Sequence, residues 1–189
     1  VGIYPFPLNE LHFLVASMCF FQPDQVFEWG TNIGKSARIF YETSQRFNIN
    51  CEIHSIDLPD DVDHVEHPFS KRGYLVKGLP GVQLHQGDGV SRAIEISGLN
   101  IGLRSLVFID GDHSYSSVKR ELELIFLHLP NAAIVLHDTF NQSSESGYNV
   151  GPYQAVMEFM VSAGQQYCMK TTNLGLPGMT MLYKPQYLN

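Results

Sequence analysis

Five places along this chain set an acidic or imidazole side chain at the end of an expected strand: Glu28, Asp57, Asp88, the group Asp110, Asp112 and His113, and the pair His137 and Asp138. Carboxylates accept strong, charge-assisted hydrogen bonds from hydroxyl and ammonium groups. A histidine beside them can take or give a proton near neutral pH. The first acid opens the most specific stretch, Val26-Phe27-Glu28-Trp29-Gly30-Thr31-Asn32-Ile33-Gly34-Lys35-Ser36. An apolar run stops in a carboxylate, two glycines follow, and a helix-like segment begins. Glycine lacks a Cβ, so the backbone there can turn tightly and approach a bound molecule closely.

Three ligands compete for that stretch. Gly34-Lys35-Ser36 is the ending of a phosphate-binding P-loop, but that motif needs four residues between its glycines and only Thr31, Asn32 and Ile33 intervene. The run Leu106 to Asp110 could pass for the Mg²⁺-binding strand of such a protein. A dinucleotide site needs a glycine where Asn32 stands. The adenosylmethionine pattern E-x-G-x-x-x-G-x-S fits at every fixed position: Glu28, Gly30, Gly34 and Ser36. A carboxylate suits a cationic ligand and would repel a triphosphate.

The other acids divide the work. Asp57 could take both ribose hydroxyls and Asp88 the adenine amino group, although Gly87-Asp88-Gly89 also reads as a turn and helix cap. Asp110, Asp112, His113 and Asp138 could hold Mg²⁺ or another divalent ion that activates an acceptor hydroxyl. His113 is the candidate general base. Asp112 and His113 also read as a cap on the helix after Ser114, and His137 as a satisfied core histidine. Phe6, Tyr74 and Tyr115 could line an acceptor pocket. No two-His-one-carboxylate spacing on a clear strand frame points to iron chemistry.

The elements that must position these residues alternate. Asn9 is placed to cap a helix over 10–21. Strands are expected over 25–28, 52–57, 82–86, 105–109 and 132–136, and helices over 34–46, 91–97, 114–129 and 153–163. Two late strands flank Gly175-Leu176-Pro177-Gly178. This order predicts a mostly parallel sheet covered on both faces, closed by an antiparallel pair. In such sheets ligands lie outside the carboxyl ends of the strands. Residues 58–79 are the least regular part. The run Asp60 to His67 reads as a solvated loop, and the segment could serve as a lid.

With 189 residues, 44% hydrophobic and 16% charged, the chain reads as one globular domain, 1–189, with 1–22 as an N-terminal helical extension. The net charge of -7 and the lack of any basic run beyond two residues argue against nucleic acid or an anionic membrane as partner. Cys19, Cys51 and Cys168 read as reduced thiols of a cytoplasmic protein. The apolar piece from Leu11 to Phe21 is too short to span a bilayer and lacks the basic flank of a signal peptide.

The chain resembles the class I S-adenosylmethionine-dependent methyltransferases, within them the macrocin O-methyltransferase-like and cephalosporin hydroxylase-like group. The resemblance covers 25–183. It is most specific in F-I-D-G-D-H-S-Y-x-x-V, Phe108 to Val118, and I-V-L-H-D-T, Ile134 to Thr139. It implies a Rossmann-like, doubly wound α/β fold of seven strands, the last antiparallel. It implies S-adenosylmethionine as cofactor, with its glycine-rich motif matched by Glu28, Gly30, Gly34 and Ser36 and its ribose acid by Asp57; Thr31, Asp88 and Asp110 complete the expected cofactor ligands. The D-x-x-H pair, Asp110 and His113, would activate the acceptor, and Asp110 with Asp138 would bind a divalent metal. Some metal-dependent relatives carry a second acid or Asn where this chain has Thr139. The expected activity is methylation of a small-molecule hydroxyl, with a non-catalytic binding module as the alternative. The apolar N-terminal helix is a candidate dimer contact.

Overall fold

The structure, a computed structural model, describes residues 6–62, 71–98, 102–163, 166–172 and 174–188, with side chains up to 186. Its frame is a seven-stranded sheet built from β1 (Gln25–Trp29), β2 (Glu52–Asp57), β3 (Val82–Gln86), β4 (Ser105–Ile109), β5 (Ala132–His137), β6 (Cys168–Thr171) and β7 (Met179–Tyr183), in the order β3-β2-β1-β4-β5-β7-β6. The first five strands are parallel; β7 runs antiparallel to both β5 and β6.

The helices are α1 (Leu8–Phe21), α2 (Lys35–Phe47), α3 (Gly89–Gly98), α4 (Tyr115–His128) and α5 (Gly151–Ala163). They cover both faces. One core layer joins Phe27, Ile56, Val107 and Leu136 to Val90 of α3, Leu122 of α4 and Phe159 of α5. The other joins Val26, Ile53, Phe108 and Val135 to Met18 of α1 and Phe40 of α2. Neighbours along each strand point to opposite layers, as the period of two requires. β1, β4 and most of β5 are therefore buried on both faces, with Gln25, Glu28 and Ser105 as polar residues among apolar ones. Each large side chain sealed there contributes about 1.5–3 kcal/mol.

Most expected elements stand within two residues of their sequence bounds, and the differences have local causes. Asn9 does not cap α1. The Pro7 carbonyl accepts from the backbone N–H groups of Glu10 and Leu11, at 3.0 and 2.9 Å, so the helix starts earlier and Asn9 lies inside its first turn. α5 begins at Gly151-Pro152, two residues before the expected Tyr153, because proline needs no N–H partner in a first turn. α3 begins at Gly89, where Asp88 accepts from the Ser91 N–H. Ser114 caps α4 by accepting from the Ser117 N–H at 3.3 Å.

The register brings the strand ends level. Trp29 pairs with Ile56 on one side and Ile109 on the other, Ile109 with Leu136, and Asp57 with Gln86. All five acidic turns therefore open on one edge of the sheet. Chain order reverses between β1 and β4, and that switch point is where this architecture opens a crevice. The three cysteines are free and half-buried. Among the described residues no helix is long and apolar enough to cross a membrane.

Candidate active site

A cleft of about 1310 Å³ runs across the carboxyl ends of the parallel strands. Of the residues singled out from sequence as cofactor ligands, Gly30, Thr31, Ser36, Asp57, Asp88 and Asp110 line it, and so do His113 and Asp138.

Gly30 is a structural necessity. Its φ is +91°, and a Cβ there would drive into the carbonyl of Asp110. The β1–α2 turn thus lies directly on the end of β4, with the Asp110 N–H donating to the Trp29 carbonyl at 3.2 Å. Asp57 is held by two backbone donors, the N–H of Asn32 at 2.8 Å and of Leu58 at 2.7 Å. Arg72 Nε lies 3.6 Å from it. The same guanidinium donates to the carbonyls of Leu58, Pro59 and Val62, tying that loop to the rim. Leu58 and Arg72 border the cleft. Residues 63–70 of the proposed lid, including His64 and His67, lie outside the described residues.

Two of the expected ligands lie off the cleft lining and a third is already partnered. Glu28 does not line the cleft. It shares a strand face with Val26 and turns into the α1–α2 side, where it is 1% exposed and accepts from Ser55 Oγ at 2.5 Å. Ser55 in turn contacts Thr31 Oγ1 at 2.6 Å. Glu28 therefore props up the turn from below. Burial pushes its carboxyl up to about 7. Gly34 also lies off the cleft; its φ of +87° starts α2, and it packs against Val76. Asp88 is bonded through both oxygens to Arg120, at 2.9 and 3.0 Å, besides capping α3. That guanidinium holds its carboxyl down near about 2, and the cap reading describes its bonds. Of the three aromatics, only Phe6 borders the cleft. Tyr74 is 76% exposed, and the Tyr115 hydroxyl donates to Glu158.

The deepest part of the cleft was only half legible. Asp110 and Asp138 do come together, but His137 sits between them. Its Nδ1 lies 2.9 Å from Asp110 Oδ1 and 3.3 Å from Asp138 Oδ1. Its Nε2 lies 3.1 Å from Glu10 Oε2, a buried carboxylate of α1 that also accepts from the Gly178 N–H at 2.8 Å. Burial disfavours charge on His137, yet the carboxylates outweigh it and push the imidazole up to about 10. His113 Nε2 is 3.2 Å from Asp138 Oδ2 and 3.5 Å from Asp110 Oδ1, aligned with neither. Burial pulls its pKa down, and the two acids reverse that to a net rise. Asp110 in turn is lowered, the two imidazoles outweighing its burial.

Asp138 has a φ of +57° and accepts from Tyr148 Oη at 2.8 Å and Asn149 Nδ2 at 2.7 Å. Both donors come from the loop before α5, which sequence reasoning passed over. Thr139 points inward to Thr180 at 2.8 Å and takes no part. Asp110, His137 and Asp138 together present donor atoms within 4.8 Å of one another. The set holds one histidine and two carboxylates and is assembled from the tips of two adjacent strands.

An α/β sheet of this order with a ligand cleft at its switch point is the fold of the class I S-adenosylmethionine-dependent methyltransferases. Residues 27–139, more than half of the chain, match the family model of a methyltransferase domain, and the chain belongs to that family. Solved structures share the fold at low identity. The SAH-bound methyltransferase PaMTH1 of Podospora anserina is 15% identical, with a TM-score of 0.64 over 93% of this chain and 77% of that one. TomG of Streptomyces achromogenes, an O-methyltransferase involved in tomaymycin synthesis and solved with SAM, is 14% identical, with a TM-score of 0.62 over 95% and 81%. A Bacillus cereus O-methyltransferase in complex with SAH is 13% identical, with a TM-score of 0.62 over 97% and 84%. No curated protein sequence matches the chain.

Proposed function

We propose that this methyltransferase moves the methyl group of S-adenosylmethionine to a hydroxyl oxygen of a small molecule. One observation carries the reading: a single cleft joins the Gly30 turn and Asp57 to the Asp110–His113–His137–Asp138 cluster. Its volume exceeds what one small ligand fills, leaving room for a cofactor and an acceptor together. TomG and the Bacillus cereus protein, both described as O-methyltransferases, favour oxygen as the acceptor atom.

The residues fit the cofactor. Asp57, preset by two backbone donors, has lone pairs left for the ribose diol. Gly30 lets the backbone approach the methionine portion, with Glu28 supporting the turn through Ser55 and Thr31. In the reaction the acceptor oxygen attacks the methyl carbon, the carbon–sulfur bond breaks, and sulfur keeps the electron pair. Neutral His113 takes the acceptor's proton, and Asp110 and Asp138 hold the imidazolium that results. Alignment of the two reactants is worth up to about 7–11 kcal/mol of the barrier.

The cluster also fits a divalent cation. Asp110, His137 through Nδ1 and Asp138 would hold it, and Glu10 on Nε2 fixes the imidazole orientation. The imidazole ligand suits a transition ion better than Mg²⁺. Such an ion would supply Lewis-acid acidification of the acceptor hydroxyl.

Calorimetry on the purified chain tests the reading. Heat is expected with S-adenosylmethionine and S-adenosylhomocysteine and none with ATP. The reverse pattern would restore the P-loop alternative.

A further inference from the structure

We propose that Glu121, on α4, reads the amino group of the adenine ring; this rests on the cofactor reading above. The residue follows directly on Arg120, whose guanidinium occupies Asp88, the acid first suited to that task. Glu121 lines the same end of the cleft as Trp29, Gly89, Gly111 and Ser117. It is only 5% exposed, and its Oε2 is buried with no hydrogen-bond partner among the described residues.

A carboxylate sealed from water without a donor is costly unless something supplies one. Its surroundings within the protein offer one donor, the Trp29 indole, and that one is not aligned. Asp88 and Asp112 face it and repel its charge; Arg120 attracts it only weakly, being committed to Asp88. The indole N–H of Trp29 lies nearby, yet Nε1 too is buried without an aligned partner. Both orphaned groups border the cleft, so a ligand is the remaining source of partners.

Position then narrows the ligand group. Asp57 ends β2, and Gly87 to Gly89 follow β3. With the ribose on Asp57, a base that reaches Gly89 and Gly111 in the same cleft comes up to Glu121. Gly89 and Gly111 both lie against the Trp29 ring, and a Cβ on Gly89 would enter it. Both glycines are packed on the indole and add no side chain of their own to the cleft that all three line. Adenine offers an amino donor beside ring-nitrogen acceptors. Burial raises the Glu121 carboxyl to about 7, against the pull of Trp29. A carboxyl that keeps its proton can accept from the amino group and donate to the adjacent ring nitrogen.

The test compares S-adenosylhomocysteine with its analogue carrying unsubstituted purine, in which hydrogen replaces the 6-amino group. Calorimetry is run on the full chain and on Glu121→Leu and Glu121→Gln. The parent chain is expected to prefer adenine by about tenfold or more, since a buried polar group left unpaired discriminates strongly. The leucine variant is expected to bind the two within about threefold of each other. The glutamine variant, whose amide oxygen still accepts, should fall between. Should the leucine variant fail to fold, the glutamine variant decides by its reduced preference. Equal binding of both compounds by the parent chain overturns the assignment and leaves the cofactor reading standing. So does a full preference kept in the variants. Binding of neither compound overturns both.

Discussion

Replacing Glu28 with glutamine should stabilise the cofactor-free protein at pH 8 and leave it nearly unchanged at pH 5. The carboxyl is 1% exposed, and burial raises its pKa from the ordinary 4.5 to about 7. Between those two values the folded chain holds a proton that the unfolded chain has released. Stability therefore falls as pH rises through that window, and the loss is complete above it. At about 1.4 kcal/mol per pH step the loss approaches roughly 3 kcal/mol. Glutamine cannot ionise and escapes it. Its amide oxygen still accepts from Ser55 Oγ, and its amide N–H groups can donate to Ser36.

Urea unfolding of parent and variant at pH 5 and pH 8 measures the difference, and other titrating groups cancel in the comparison. For a chain of this length the gain at pH 8 corresponds to a melting shift of about 6–12 °C. A variant equally destabilised at both pH values would show that Glu28 is stabilised as an anion by a partner. The support role assigned to it would then be wrong. Cofactor affinity should change little, since the side chain lies below the cleft lining.

The remaining predictions concern the cleft itself. Asp57→Ala should weaken S-adenosylhomocysteine binding more than about tenfold, the loss of one or two charge-assisted bonds of about 1.5–3 kcal/mol each. His113→Ala should leave that affinity intact and lower turnover; equal losses in both measurements for either variant would refute the division of labour. Gly30→Ala forces a left-handed conformation on a residue whose Cβ meets the Asp110 carbonyl. It should cost about 2–4 kcal/mol in urea unfolding, and an unperturbed midpoint would mean that the turn relaxes freely.

The sequence showed the strand tips because each buried strand is an apolar run that ends abruptly. A carboxylate at such a break has few roles apart from turn or ligand. It did not show which way the acids face. For Glu28 the signal was present: two residues after Val26 in a strand covered on both faces, its side chain must be buried. The Glu10–His137 contact spans 127 residues and joins an N-terminal helix to β5, so no local pattern reports it. Arg120 and Asp88 are 32 residues apart, and the arginine looks like any exposed helical cation. Glu121 likewise shares α4 with Glu123, and only the fold separates the buried acid from its neighbour.

The charge balance of the cleft follows from the proposed chemistry. A sulfonium is positive before transfer and neutral afterwards. Bare carboxylates around the sulfur would therefore hold the ground state more tightly than the transition state and slow the reaction. The chain is acidic overall, yet at this site its acids are partly neutralised. Asp88 is paired with Arg120. Glu28 and Glu121 are both raised to about 7 by burial. With no ion bound there, His137, pushed up to about 10, places a cation among Glu10, Asp110 and Asp138. Asp57 keeps its charge-accepting role at the ribose end, two residues beyond Ser55 on β2, where no charge changes during transfer. Under the proposed function the strand-tip acids would thus grip the nucleoside without pinning the sulfonium that must react.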